Sequence, residues 1–321
     1  MSAPAAPRRR RGGLERSEAR AGLAFLSPTL LVILLVVVAP VVWTVVMAFQ
    51  DIRLVTLATS GLAGEGTLRN VREVLPSDGF WGALGTTLAY SVLGTGSAVG
   101  LGLVGALALR GAFRGRGLVR GALLLPYVAP VVAATFVWGV MLNPQLGIVN
   151  QWGTGLLGWD EPVAFLSQRT SDVDVLGATV PVPTALLSVV VVEAWRSFPF
   201  ALLFLTARLE AVPATLEESA RVDGATPTQR FRHVLLPQLM PTIGVLVLLR
   251  FIWTFTSFDE IYLLTGGGAG TEVLSVRVFD YLVARGDVGA ASAQALVLAL
   301  VLAVLVVAYL RAGGARDEEE A

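Results

Sequence analysis

The chain has 321 residues, of which 55% are apolar and only 15% charged, against about a quarter charged in a soluble domain. Its 24 acidic and 24 basic residues cancel, so the global balance points to neither a nucleic-acid partner nor an acidic ligand, and every basic residue is arginine. With no lysine there is no G-x-x-x-x-G-K-[ST] phosphate loop, and with no cysteine and the single histidine His233 there is no disulfide, thiolate nucleophile or His-based metal cluster.

Taken in chain order, an arginine-rich tail over 1–21 precedes six apolar blocks at 22–49, 83–109, 121–142, 184–206, 235–258 and 290–310, and an acidic tail closes the chain at 311–321. About 20 residues of helix cross a hydrocarbon core of about 30 Å, and in lipid every backbone polar group must be satisfied within the segment. The expected fold class is therefore an all-α polytopic membrane protein with six transmembrane helices, the permease-like region running over 22–310. The first block is too long for a signal peptide and carries no small-x-small cleavage site, so it reads as a retained span.

Arginine placement gives an orientation. Sixteen arginines, from Arg8 to Arg20, Arg110 to Arg120, Arg208 to Arg232 and Arg311 to Arg316, fall on one side, and six fall in the opposite loops. The arginine-rich side is expected to be cytoplasmic, with both termini inside and the loops 50–82, 143–183 and 259–289 outside. In the second span Gly96 and Gly100 form a small-xxx-small pair that suits close helix packing. Pro40, Pro126, Pro130, Pro199 and Pro241 interrupt several spans, which a bundle tolerates when neighbours satisfy the freed carbonyls.

The fourth span carries Glu193 and Arg196 one helical turn apart, placed to pair with each other. Charged residues in a span face a bundle interior or a wet cavity. Together with Trp195, Trp253, Thr256 and Ser257, which offer stacking and hydroxyl contacts, they are the candidate solute path, with a purely structural ion pair as the other reading.

The cytoplasmic loop 207–233 holds two short capped helices. Thr215 and Glu218 have the spacing of a capping box, Gly224 stands where a left-handed residue ends the first helix, and Thr226, Pro227 and Gln229 start the second. Such a projecting helical turn suits a docking handle, or an ordinary ordered loop.

The run Glu218-Ser219-Ala220, Gly224 and Val234-Leu235-Leu236-Pro237 resembles the E-A-A-x3-G-x9-I-x-L-P signature of permease subunits of binding-protein-dependent ABC importers. The segment from Phe255 to Gly268 is similar to that of the maltose and glycerol-3-phosphate type, where a proline commonly follows the glycines and this sequence has Ala269. The resemblance implies a prokaryotic plasma-membrane subunit, not an enzyme, with no catalytic residues, no metal and no cofactor of its own. It forms half of a pathway for a carbohydrate, polyol or sugar phosphate. The implied partners are a second permease subunit in a heterodimer, two ATP-binding cassette ATPase subunits that use ATP, and an extracytoplasmic solute-binding protein. The implied ATPase-coupling residues within 215–237 are Glu218, Ser219, Ala220, Asp223, Gly224, Leu236 and Pro237. An ion-coupled secondary transporter and a membrane enzyme of lipid-linked substrates are the alternatives from other classes. Few acidic residues inside the spans disfavour the first, and the lack of a catalytic cluster disfavours the second.

Overall fold

The computed structural model describes residue 22 and residues 24–60, 65–175 and 178–319. The expected tail over 1–21 lies outside these residues. Among them, five helices are long and apolar enough to cross a membrane: α1 (Ala24–Ala48), α2 (Asp78–Ala108), α6 (Thr184–Glu210), α8 (Pro227–Phe255) and, after the short α10 (Leu274–Phe279), α11 (Val288–Glu319). Between α2 and α6 lie α3 (Arg116–Val128), α4 (Val131–Met141), the short α5 (Ile148–Leu156) and an antiparallel hairpin of β1 (Ser171–Val175) and β2 (Ala178–Val182). The hairpin, paired from Ser171 with Val182 to Val175 with Ala178, is the only pair of strands among the described residues, beside isolated bridges between Gln50 and Gly66 and between Arg53 and Asp287.

The expected third span over 121–142 is not one straight helix. Its halves α3 and α4 meet at 98°, and they make the sixth span only as a broken pair. Pro130 lacks an N–H, and the residue before a proline is pushed out of the helical region. Ala129 accordingly sits at φ −63° and ψ 133°. The backbone of α11 stays helical past the expected end of the last span, to Glu319.

Two other prolines act more gently. Pro40 and Pro237 each follow a π-turn, at Leu34–Val38 and Phe231–Leu235. A proline ring collides with the carbonyl four residues back, which for these two is Val36 and His233, and widening that turn relieves the collision without breaking the helix. As a result α8 runs unbroken from the loop end at Pro227 to Phe255.

The centre of the bundle is α2 against α6. They run parallel, since Gly94 approaches Glu193 and Gly102 approaches Ala201. α8 lies antiparallel to both, with Leu109, Leu209 and Leu235 in one buried cluster at one end and Gly94 beside Thr254 toward the other. A Cβ at Gly102 would stand 2.6 Å from the Ala201 Cβ and 2.8 Å from the Leu202 nitrogen, so here the two backbones touch. The expected 96/100 pair does not make this contact: a Cβ built at either would meet nothing within 4 Å, and both are exposed. Gly94 and Gly102 are eight residues apart, and Gly105 eleven, which keeps them on the α6 side of α2 and turns Gly96 and Gly100 away.

Overpacking at such a contact costs about 1 to 3 kcal/mol. Gly102→Val is therefore expected to lower the thermal stability of the detergent-purified chain, and Gly96→Ala to leave it unchanged.

Candidate functional site

Two sites are built on this frame. The first is α7 (Ala214–Val222), between α6 and α8. Its start differs from the expected one. Pro213 precedes the first turn, no side chain caps it, and Thr215 lies inside the helix, so the Thr215/Glu218 capping box is not formed. The Thr215 carbonyl instead accepts from Ser219 Oγ at 2.9 Å. The end is as expected. Gly224 has φ +78°, with Gly224 N–H donating to Arg221 O at 3.1 Å and Ala225 N–H to Ala220 O at 2.9 Å, the paired bonds of a Schellman turn. Directly after it, Thr226 N–H donates to Gln229 Oε1 at 2.8 Å and Gln229 N–H to Thr226 Oγ1 at 3.3 Å, a complete capping box on α8.

The surface of this turn is exposed. Glu218, Ser219 and Asp223 face outward, Val222 is 87% exposed, and Ala220 and Leu236 are half-buried, with Pro237 exposed beyond them. Glu217, which was not singled out from the sequence, turns the other way. It pairs with Arg110, just past the end of α2, and Arg110 Nη1 donates to Glu217 Oε2 at 2.8 Å. Hydrogen bonding from Arg110 is the main reason the Glu217 carboxyl is held below its ordinary value. The contact is therefore at full strength above the usual carboxylate range and is lost only as the pH falls through the lowered value.

The second site lies between the spans. Glu193 and Arg196 do not pair with each other. Glu193 pairs with Arg250 on α8, and Arg196 pairs with Glu260 on α9 (Asp259–Thr265), the helix that follows the end of α8. A helical turn brings two side chains onto neighbouring faces of α6, but the closer partners come from other helices. Glu193, Arg250 and Glu260 are buried, and Arg196 is the more open member, its side chain 28% exposed. Hydroxyls complete the cluster: Ser197 Oγ donates to Glu193 Oε1 at 3.0 Å, Arg250 Nη2 donates to Ser197 Oγ at 2.6 Å, and Ser257 Oγ donates to Glu260 Oε2 at 2.8 Å. Tyr90 of α2 is fully buried among apolar neighbours from α6 and α9. Arg250 was visible in the sequence as a charge inside a span, but nothing in its spacing named its partner.

The remaining candidates sit around this cluster. Trp195 meets Trp138 edge to face at 5.6 Å in an open groove of about 700 Å³ that Gly100, Val190, Ala194 and Phe198 also line. Trp253 packs on Phe200 at 5.1 Å, with the Arg250 guanidinium 5.7 Å from its ring. The Thr256 hydroxyl is bonded to the Ile252 carbonyl at 3.0 Å. The segment after α9 turns through Gly266 and Gly267 and places Ala269 at φ +52°, a value closed to a proline.

Removing one member of a buried ion pair costs about 3 to 5 kcal/mol because the other is left uncompensated. Glu193→Gln alone is expected to reduce membrane abundance. Adding Arg250→Gln should restore it, whereas adding Arg196→Gln should not, because that strands Glu260 as well. Quantitative membrane blots of the two double variants measure the difference.

An exposed helical turn continuous with a long apolar helix, and a charge cluster between such helices, accompany wider likenesses. Residues 98–313 match the family model described as a binding-protein-dependent transport system inner membrane component. The chain is 32% identical over 287 residues to the inner membrane ABC transporter permease protein YcjO of Escherichia coli, covering 89% of this chain and 92% of that one. It is 32% identical over 308 residues to the trehalose/maltose transport system permease protein MalF of Thermococcus litoralis, covering 95% and 97%. It is 30% identical over 305 residues to the trehalose transport system permease protein SugA of Mycobacterium tuberculosis, covering 95% and 92%. The fold is like that of a chain in the crystal structure of a bacterial ABC transporter involved in import of the acidic polysaccharide alginate, with TM-score 0.76, 23% identity and coverage of 93% and 97%. The chain belongs to the family of binding-protein-dependent transport system inner membrane components.

Proposed function

We propose that this chain is one of two permease subunits in an ATP-driven importer of a carbohydrate, and that α7 is its contact with a separate ATPase. The observation that carries the reading is the continuity of α8. The exposed turn from Glu218 to Gly224 leads through a rigid Schellman turn and a capping box into a helix that enters the buried charge cluster at Arg250. A push on α7 therefore travels along a helix instead of being lost in a flexible loop.

In this reading Glu218, Asp223 and the exposed Val222 meet the ATPase, and Ala220, with its small side chain, lets the two surfaces approach. Gly224, Leu236 and Pro237 set the angle at which the turn joins α8. ATP is bound by the partner and not by this chain. A second permease subunit completes the pathway, and an extracytoplasmic binding protein delivers solute at the opposite end, where the loops 50–82, 143–183 and 259–289 gather. The α7 end is then cytoplasmic, as the arginine distribution favours. The names of two relatives, which specify trehalose and maltose, support a sugar as solute. The groove beside Trp138 and Trp195 suits the apolar faces of such a molecule.

A β-branched residue at a left-handed position costs about 1 to 2 kcal/mol, and nothing crowds a Cβ at Gly224, so the strain falls on the turn itself. Gly224→Val and Glu218→Ala are expected to lower solute uptake and ATPase co-purification while membrane abundance stays near normal. Intact uptake and co-purification in both variants would remove α7 as the contact. Reporter fusions within 207–233 are expected to report the cytoplasm, and an external signal there would overturn the orientation.

A further inference from the structure

α7 is joined to α6 and α8 at its two ends, and one of its two adjacent glutamates adds a contact beyond the end of α2. Glu218 is exposed on the outer surface, whereas the side chain of Glu217 is only 17% exposed and grips Arg110 with both carboxylate oxygens. Arg110 lies two residues past the end of α2, the helix that packs along α6 and touches its backbone at Gly102. Sixteen residues back along α2, about 24 Å at 1.5 Å per residue, Gly94 lies against the Glu193 Cγ and the Thr254 Cγ2, both 3.3 Å from a Cβ built there. The charge cluster is thus reached from α7 by three rods: α6, which leads into α7 through residues 211–213 and carries Glu193 itself, α8, through the covalent turn at Gly224, and α2, through a bidentate ion pair.

A single rod hinged at one end can tilt or slide against its neighbours. Two rods fixed to the same short helix must move together or break one attachment. Bidentate arginine–carboxylate contacts resist both rotation and translation, which suits them to this task. We propose that Arg110 and Glu217 are positioning residues for coupling, forming a second, non-covalent link that delivers movement of α7 directly to α2 as well as along the covalent chain to α6 and α8. This rests on the reading of α7 as the ATPase contact.

The chain has no cysteine, so a single introduced one can carry a unique bimane label. The test uses the complete importer with its ATPase and compares fluorescence before and after ATP with vanadate, the label being at the exposed Val104→Cys on α2 or at the exposed Val245→Cys on α8. In the otherwise unchanged protein both positions are expected to respond. With Arg110→Ala or Glu217→Gln, the α8 response should persist with the ATPase still bound, while the α2 response falls by about fivefold or more, the scale of a lost charge-assisted contact. The exchanged pair Arg110→Glu with Glu217→Arg should bring the α2 response back. An undiminished α2 response in the single variants, an exchanged pair that fails to restore it, or loss of the ATPase from the single variants would each overturn the second link. If neither label responds in the unchanged protein, the reading of α7 as the ATPase contact fails, and the link fails with it.

Discussion

A charge in a medium that cannot hydrate it must find an opposite charge, and four such groups meet in the middle of this bundle. Glu193 and Arg196 leave the same helix within one turn, and their partners Arg250 and Glu260 lie on either side of the break at Thr256 and Ser257. Satisfying both pairs fixes the rotation of α6, the depth at which α8 ends and the direction in which α9 departs. Shifting any of these by one turn separates a pair, and the lone ion then carries a penalty of several kcal/mol. The close contact at Gly102 holds α2 against α6, and the whole frame is tied to that alignment.

Much of this was legible in the sequence because some signals are local. Spans follow from runs of apolar residues. The turn at Gly224 and the box from Thr226 to Gln229 follow from residue types at fixed offsets, and both are present. The Thr215 and Glu218 spacing is equally local but misleads, because Pro213 takes the cap position two residues before the threonine. Pairing between helices is not local. The Glu193 and Arg196 spacing shows that they are neighbours on α6, but whether they are partners depends on what α8 and α9 bring. The glycines of α2 teach the same lesson: a four-residue spacing marks a smooth face, and only the placement of α6 decides which face is used.

Proline shows how one residue type gives opposite outcomes. At Pro130 the chain breaks and turns through 98°, whereas at Pro40 and Pro237 a widened turn absorbs the collision and the helix continues. The difference lies in the residue before the ring, extended at Ala129 but helical at Ala39 and Leu236. A helix that survives its proline can transmit a displacement along its axis, and a broken one pivots instead.

The pairing of Glu193 and Arg196 with residues more than fifty positions further on also has a consequence for biogenesis. A chain made from its N-terminus completes α6 before Arg250 and Glu260 exist. During that interval Glu193 and Arg196 are each other's nearest opposite charge, one turn apart on a helix already committed to the bilayer. Reaching the finished fold then means an exchange of partners, in which each gives up a neighbour on its own helix for one that arrives later.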